Sequence, residues 1–195
     1  MNIEFEIKFL NIDEAAFRSE LEKLNAKKIK DKFLMRRKVL HFPDSLSVPN
    51  KWARVRDEGD KITASIKHVV DPNSVDGTKE VEIIVNGFKD AVSFLEEIGL
   101  SVTSYQENYR EKWHYKDCEI TIDTWPGLKP FVEIEGPNED KVNIVVNDLK
   151  FDKNQGEFGS IDMIYQKIYN IPRETITHAD VLTFDKMPKP LKEII

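Results

Sequence analysis

Several short segments of this chain alternate charged and apolar residues with a period of two, and the charged positions carry both signs. Successive side chains of a strand point to opposite faces. Glu4, Glu6 and Lys8 therefore share one face, and Ile3, Phe5, Ile7 and Phe9 share the other. The same division recurs downstream. Arg54 and Arg56 lie opposite Ala53 and Val55, and Lys61, Thr63, Ser65 and Lys67 lie opposite Ile62, Ala64 and Ile66. Glu80 and Glu82 oppose Val81, Ile83 and Val85; Glu119, Thr121 and Asp123 oppose Ile120 and Ile122; Glu133 and Glu135 oppose Val132 and Ile134. Arg110, Lys112 and His114 share a face whose reverse side is only partly apolar.

A polar face can simply be the wet side of an antiparallel sheet. Neighbours such as Arg54 and Arg56, however, repel unless anions or carboxylates lie near them. A closed or nearly closed barrel gathers the charged faces inside and turns the apolar faces outward, where helices can cover them. Periodicity places those helices at 14–25, behind an Asp13 cap, and at 89–98, ended by Gly99. Massed carboxylates beside massed Lys and Arg suggest a site that holds metal cations and a polyanion together.

Strands are expected at 3–9, 33–42, 52–57, 61–69, 105–115, 118–124 and 130–135, with hairpins around Glu58-Gly59-Asp60 and Lys116-Asp117. Glu80-Val81-Glu82-Ile83 echoes Glu4-Phe5-Glu6-Ile7 as a second strand-to-helix unit. The stretches 43–50 and 70–78 read as loops, and further helices are expected at 139–149 (capped by Asn138), 160–169 and 174–182. The chain of 195 residues suits one domain over 1–185, with a peripheral tail over 186–195. Hydrophobic content of 40% beside 33% charged residues favours a folded globule over disorder. A net charge of −6 counts against a non-specific nucleic-acid binder. No apolar run is long enough to span a membrane. The chain enters a charged strand with no signal peptide, and Cys118 is its only cysteine, so a cytoplasmic, reducing setting is expected. The four histidines show no zinc spacing, and His114 alone is placed to face a tunnel mouth.

The ordered set Glu4-x-Glu6-x-Lys8, Arg54-Val55-Arg56, Lys67, Glu80-x-Glu82, Arg110, Asp123 and Glu133-x-Glu135 resembles the CYTH family, also called triphosphate tunnel metalloenzymes. The resemblance covers roughly residues 3–170 and implies an α+β fold, an eight-stranded antiparallel β tunnel with flanking helices. That family includes class IV adenylyl cyclases and thiamine, inorganic and RNA triphosphatases. The resemblance implies that Lys8, Arg54, Arg56, Lys67 and Arg110 grip phosphates, with Lys112 on the same face. It implies that Glu4, Glu6, Asp123, Glu133 and Glu135 hold Mg²⁺ or Mn²⁺, with Glu80 and Glu82 nearby, and that Lys8, Glu6 and Glu135 form the reacting centre. Physical chemistry agrees: Mg²⁺ takes oxygen ligands, Arg meets phosphate bidentately, and phosphoryl transfer asks mainly for placement and charge neutralisation.

Two departures stand out. Relatives often carry Lys two residues before the position of Arg110, where this chain has Asn108; Lys112 is the candidate substitute. The 36–42 strand is basic (Arg36-Arg37-Lys38) where relatives are acidic then aromatic. The favoured activity is metal-dependent hydrolysis of a small-molecule triphosphate by a monomer or homodimer. The alternatives are an adenylyl cyclase of the class IV kind and a triphosphate- or polyphosphate-binding module without turnover.

Overall fold

The charged faces meet because the strands close on themselves. The computed structural model describes residues 1–194. Its strands are β1 (Asn2–Phe9), β2 (Lys27–His41), β3 (Lys51–Asp57), β4 (Ile62–Val69), β5 (Thr78–Val85), β6 (Ser101–Tyr115), β7 (Cys118–Thr124) and β8 (Phe131–Gly136). They hydrogen-bond in the order β2-β3-β4-β5-β1-β8-β7-β6, and β6 returns to β2 to complete an antiparallel barrel. A two-residue strand, β9 (Val181–Leu182), adds in parallel to β6 at Tyr105 and Gln106. In this ring β2 and β3 stand across the tunnel from β1 and β8.

Helices cover most of the apolar outer faces, but that of β5, with Val81 and Ile83, is exposed. The helix α1 (Glu14–Lys23) starts where the Asp13 carboxylate accepts from the N–H groups of Ala15 and Ala16. It lays Phe17 and Leu21 on a core shared with Ile7, Trp113, Ile120, Ile122, Val132 and Ile134. The helix α3 (Glu139–Asp148), capped by Asn138, adds Val142, Val145 and Val146 to the same core. The helix α2 (Phe88–Glu97) packs Val92 against Leu40, Ala53 and Val55, and Gly99 ends it at a φ of +102°.

A third core joins α4 (Ile161–Tyr169), α5 (Glu174–Thr177) and α6 (Lys189–Ile194) to Trp125, Leu128 and Phe131 of the barrel. Leu191 of α6 is fully buried there and Met187 packs beside it, although that tail reads as peripheral in the sequence. The helix expected over 174–182 stops at Thr177, because the chain then extends to form β9 on β6. The strand expected at 33–42 begins at Lys27, and β6 begins at Ser101; each is longer because the two pair along nearly their whole lengths, through register shifts near Lys30. Among the described residues, no helix is long and apolar enough to cross a membrane.

Candidate active site in the tunnel

Register brings the acids into rows. Glu6 pairs with Glu135 across β1 and β8, and Glu135 pairs with Glu119 across β8 and β7. The neighbouring row runs Lys8, Glu133, Thr121, Lys112. Directly opposed side chains on neighbouring strands sit about 5 Å apart at Cβ, so unneutralised like charges there repel. Across the tunnel Arg37 of β2 is in register with Arg56 of β3, with Arg54 two residues away. All these groups except Thr121 line one cavity of about 1030 Å³, together with Glu4, Lys67, Glu80, Glu82, Arg110 and Asp123. The structure thus brings every sequence-predicted site residue into a single space.

Within that space acids and bases pair. Lys8 Nζ lies 2.9 Å from Glu6 and 3.3 Å from Glu133. Lys67 lies 2.8 Å from Glu4 and 3.6 Å from Glu80. Arg54 contacts Glu80 at 3.1 Å, and Arg56 contacts Glu82 at 3.0 Å. Arg110 grips Asp123 with two hydrogen bonds, 2.8 and 2.6 Å, and reaches Glu133 at 3.3 Å. Asp123 also accepts from Asn108 at 2.8 Å and from Thr121 at 3.1 Å, so its acceptor positions are filled. Asp123, Glu80 and Glu82 are therefore paired with cations.

Glu135 is different. Among the described residues it has no ion pair. Burial, then the charges of Glu133, Glu6 and Glu119, push its carboxyl up to about 7, with Lys67 opposing. Burial also raises Glu4, to about 8, against Lys67, with the neighbouring acids Glu80 and Glu6 adding to the rise. For Glu80 burial opposes ionisation, but Arg54 and Lys67 overcome it and hold the carboxyl below its usual range. Lys8 and Arg110 do the same for Glu133. Burial disfavours the Lys8 ammonium, yet Glu6 and Glu133 more than offset it.

The carboxylates Glu4, Glu6, Glu133 and Glu135 fit a hard divalent cation by chemistry: they are oxygen donors on the adjacent strands β1 and β8. No three acids, histidines or cysteines among the described residues converge on one point, because lysines and arginines hold most of the carboxylates. On the facing wall Arg37, Arg54 and Arg56 each bury a guanidinium Nε that has no acceptor. Such orphans are costly.

Sequence reasoning missed two groups here. Arg37, noted in the sequence only as part of the basic string Arg36-Arg37-Lys38, is buried inside the tunnel. Glu58, read as a turn residue, is 1% exposed and binds Arg56 at 2.9 Å and Lys112 at 3.2 Å. Lys112 is thereby committed to Glu58 and to Glu119 at 3.3 Å. It lies four residues from Asn108 along β6, about 13 Å at the strand rise, too far to stand in for a cation there. His41 and His178 line the cavity as well as His114, with their two rings 5.2 Å apart.

A profile of the CYTH domain matches residues 2–159. No curated protein matches the sequence. Solved structures that share the fold include the following three. A candidate adenylate cyclase from Vibrio parahaemolyticus is 15% identical with a TM-score of 0.71, over 85% of this chain and 98% of that one. A conserved hypothetical protein from Pyrococcus furiosus is 21% identical with a TM-score of 0.67, over 81% of this chain and 97% of that one. A candidate adenylyl cyclase from Hippeastrum, described as having a dominant triphosphatase activity, is 15% identical with a TM-score of 0.59, over 88% of this chain and 99% of that one. At these identities the likeness establishes the eight-stranded barrel.

Proposed function

The chain belongs to the CYTH domain family, whose members are metal-dependent triphosphatases or adenylyl cyclases, and we propose that it hydrolyses a triphosphate inside its tunnel. One observation carries the reading. A carboxylate wall on β1 and β8 faces an arginine wall on β2 and β3 across one cavity, and each of those arginines buries an Nε without an acceptor. A polyanion alone would be repelled by the first wall, and a cation alone by the second. A triphosphate carrying a divalent metal suits both.

In this reading Arg54, Arg56, Lys67 and Arg110 bind the phosphate oxygens, and Glu80, Glu82 and Asp123 hold those cations in position. Glu4, Glu6, Glu133 and Glu135 hold Mg²⁺ or Mn²⁺, which supplies charge neutralisation and acidifies water when bound. Lys8 pairs with Glu6 and Glu133, and would be available to a phosphate oxygen if those carboxylates held a metal. The active unit is one tunnel domain that includes α6, packed into its third core, as a monomer or homodimer in the cytoplasm.

Product analysis tests the proposal. The protein is incubated with tripolyphosphate, thiamine triphosphate and ATP in turn, with Mg²⁺ or Mn²⁺, and an EDTA control. Orthophosphate with the corresponding diphosphate is expected, and the fastest substrate names the specificity. Cyclic AMP with pyrophosphate from ATP would overturn hydrolysis in favour of a cyclase, and no metal-dependent product would overturn both.

A further inference from the structure

Six interior cations have a carboxylate within salt-bridge distance: Lys8 has Glu6, Arg54 has Glu80, Arg56 and Lys112 share Glu58, Lys67 has Glu4, and Arg110 has Asp123. Arg37 has none among the described residues, yet it is 6% exposed. Its Nη2 donates to a neutral group, Asn108 Oδ1. Its guanidinium carbon lies 4.5 Å from the centroid of the Trp125 ring, and its Nε is buried without an acceptor. Its strand neighbour in register is another arginine, Arg56.

A guanidinium does not shed its proton in a protein, so this is a buried, unpaired positive charge beside others. Burial and the charges of Arg54, Arg56 and Arg110 all disfavour it, with Asp123 the opposing charge. Asp123 cannot accept from it directly, because Arg110, Asn108 and Thr121 fill its oxygens; Asn108 bridges the two instead. Packing does not call for a cation at this position, since β2 places Met35 and Val39 at the flanking positions of the same face. What would satisfy the charge is an anion from outside the chain. Planar forks on Arg37, Arg54 and Arg56, each with an idle Nε, match phosphate oxygens.

Resting on the triphosphate reading above, we propose that Arg37 is a substrate-binding residue that grips a phosphate together with Arg54 and Arg56, from the wall across from the acids. Asn108 is its positioning residue, holding the guanidinium toward the cavity.

Calorimetric titration of the whole protein with inorganic tripolyphosphate and Mg²⁺ tests this. Arg37→Gln is expected to weaken binding about ten- to hundred-fold, the scale of hydrogen bonds to a charged partner. Its melting temperature should equal or exceed that of the wild type, because a buried unpaired charge is removed. Arg37→Lys keeps the charge without the fork and should fall between. Adding Asn108→Lys to Arg37→Gln puts a cation where the Arg37 head group now lies and should recover much of the lost affinity. Unchanged affinity in both Arg37 variants would overturn the inference while leaving the triphosphate reading intact. A loss that neither lysine relieves would assign Arg37 a structural role and also overturn it. No binding by the wild type would instead overturn the functional reading itself.

Discussion

Replacing Glu135 by Gln should make the metal-free protein more stable, and only at neutral to alkaline pH. The Glu135 carboxyl ionises near 7 in the fold against 4.5 for an ordinary glutamate. At about 1.4 kcal/mol per tenfold change in proton affinity, ionising it in the fold costs about 3 kcal/mol more than in the open chain. Water at the tunnel mouth screens part of this, leaving about 2 kcal/mol. The sign follows from proton counting. Between pH 4.5 and 7 the folded state holds a proton that the unfolded state has lost, so this group's stabilising contribution is complete below 4.5 and disappears as pH rises through 7. Glutamine carries no such penalty. Glu135→Gln should therefore match the wild type near pH 4.5 and exceed it by about 2 kcal/mol at pH 8, about 4–8 °C in Tm for a chain of this size. Urea denaturation in EDTA at both pH values measures it. Equal effects at the two pH values, or destabilisation at pH 8, would refute the account of this carboxylate. With Mg²⁺ at pH 8 the order should reverse, because only the wild type gains binding energy from the metal. The variant should also lose hydrolysis.

Arg56→Ala should raise the KM for tripolyphosphate about ten- to hundred-fold as well as slowing turnover, read from initial rates; an unchanged KM would remove it from the phosphate grip. Asp123→Ala should destabilise the fold by about 3–5 kcal/mol in urea titration, since it strands the largely buried Arg110 guanidinium and the buried Asn108 amide. Leu191→Ala should cost about 2–5 kcal/mol, because α6 is part of the third core; a loss below about 0.5 kcal/mol would show that the tail merely rests on the surface.

Period-two alternation made much of the tunnel legible. In β1, β3, β4, β7 and β8 a charged face opposes an apolar one, so the interior side chains could be assigned strand by strand. The signal failed where chemistry did not alternate. Arg36-Arg37-Lys38 is a run of like residues, and only pairing with β3 and β6 decides that Arg37 faces inward. Residues 27–32 are mostly charged, so the first half of β2 has no apolar face to announce it. Glu58 sits in a Glu-Gly-Asp turn, and its burial depends on Arg56 and on Lys112 from a distant strand. The filled acceptors of Asp123 depend on Asn108 and Arg110 across the β6–β7 ladder, which no local pattern encodes. Two-residue β9 is too short for any periodicity to register.

Diffraction from crystals grown with Mn²⁺ and tripolyphosphate, using the manganese anomalous signal, tests the central claim most directly. The account predicts manganese against Glu4, Glu6, Glu133 and Glu135, with phosphate oxygens within hydrogen-bond distance of Arg54 and Arg56 and with Lys8 turned from Glu6 to phosphate. Manganese held away from β1 and β8, or tripolyphosphate bound outside the barrel, would contradict it.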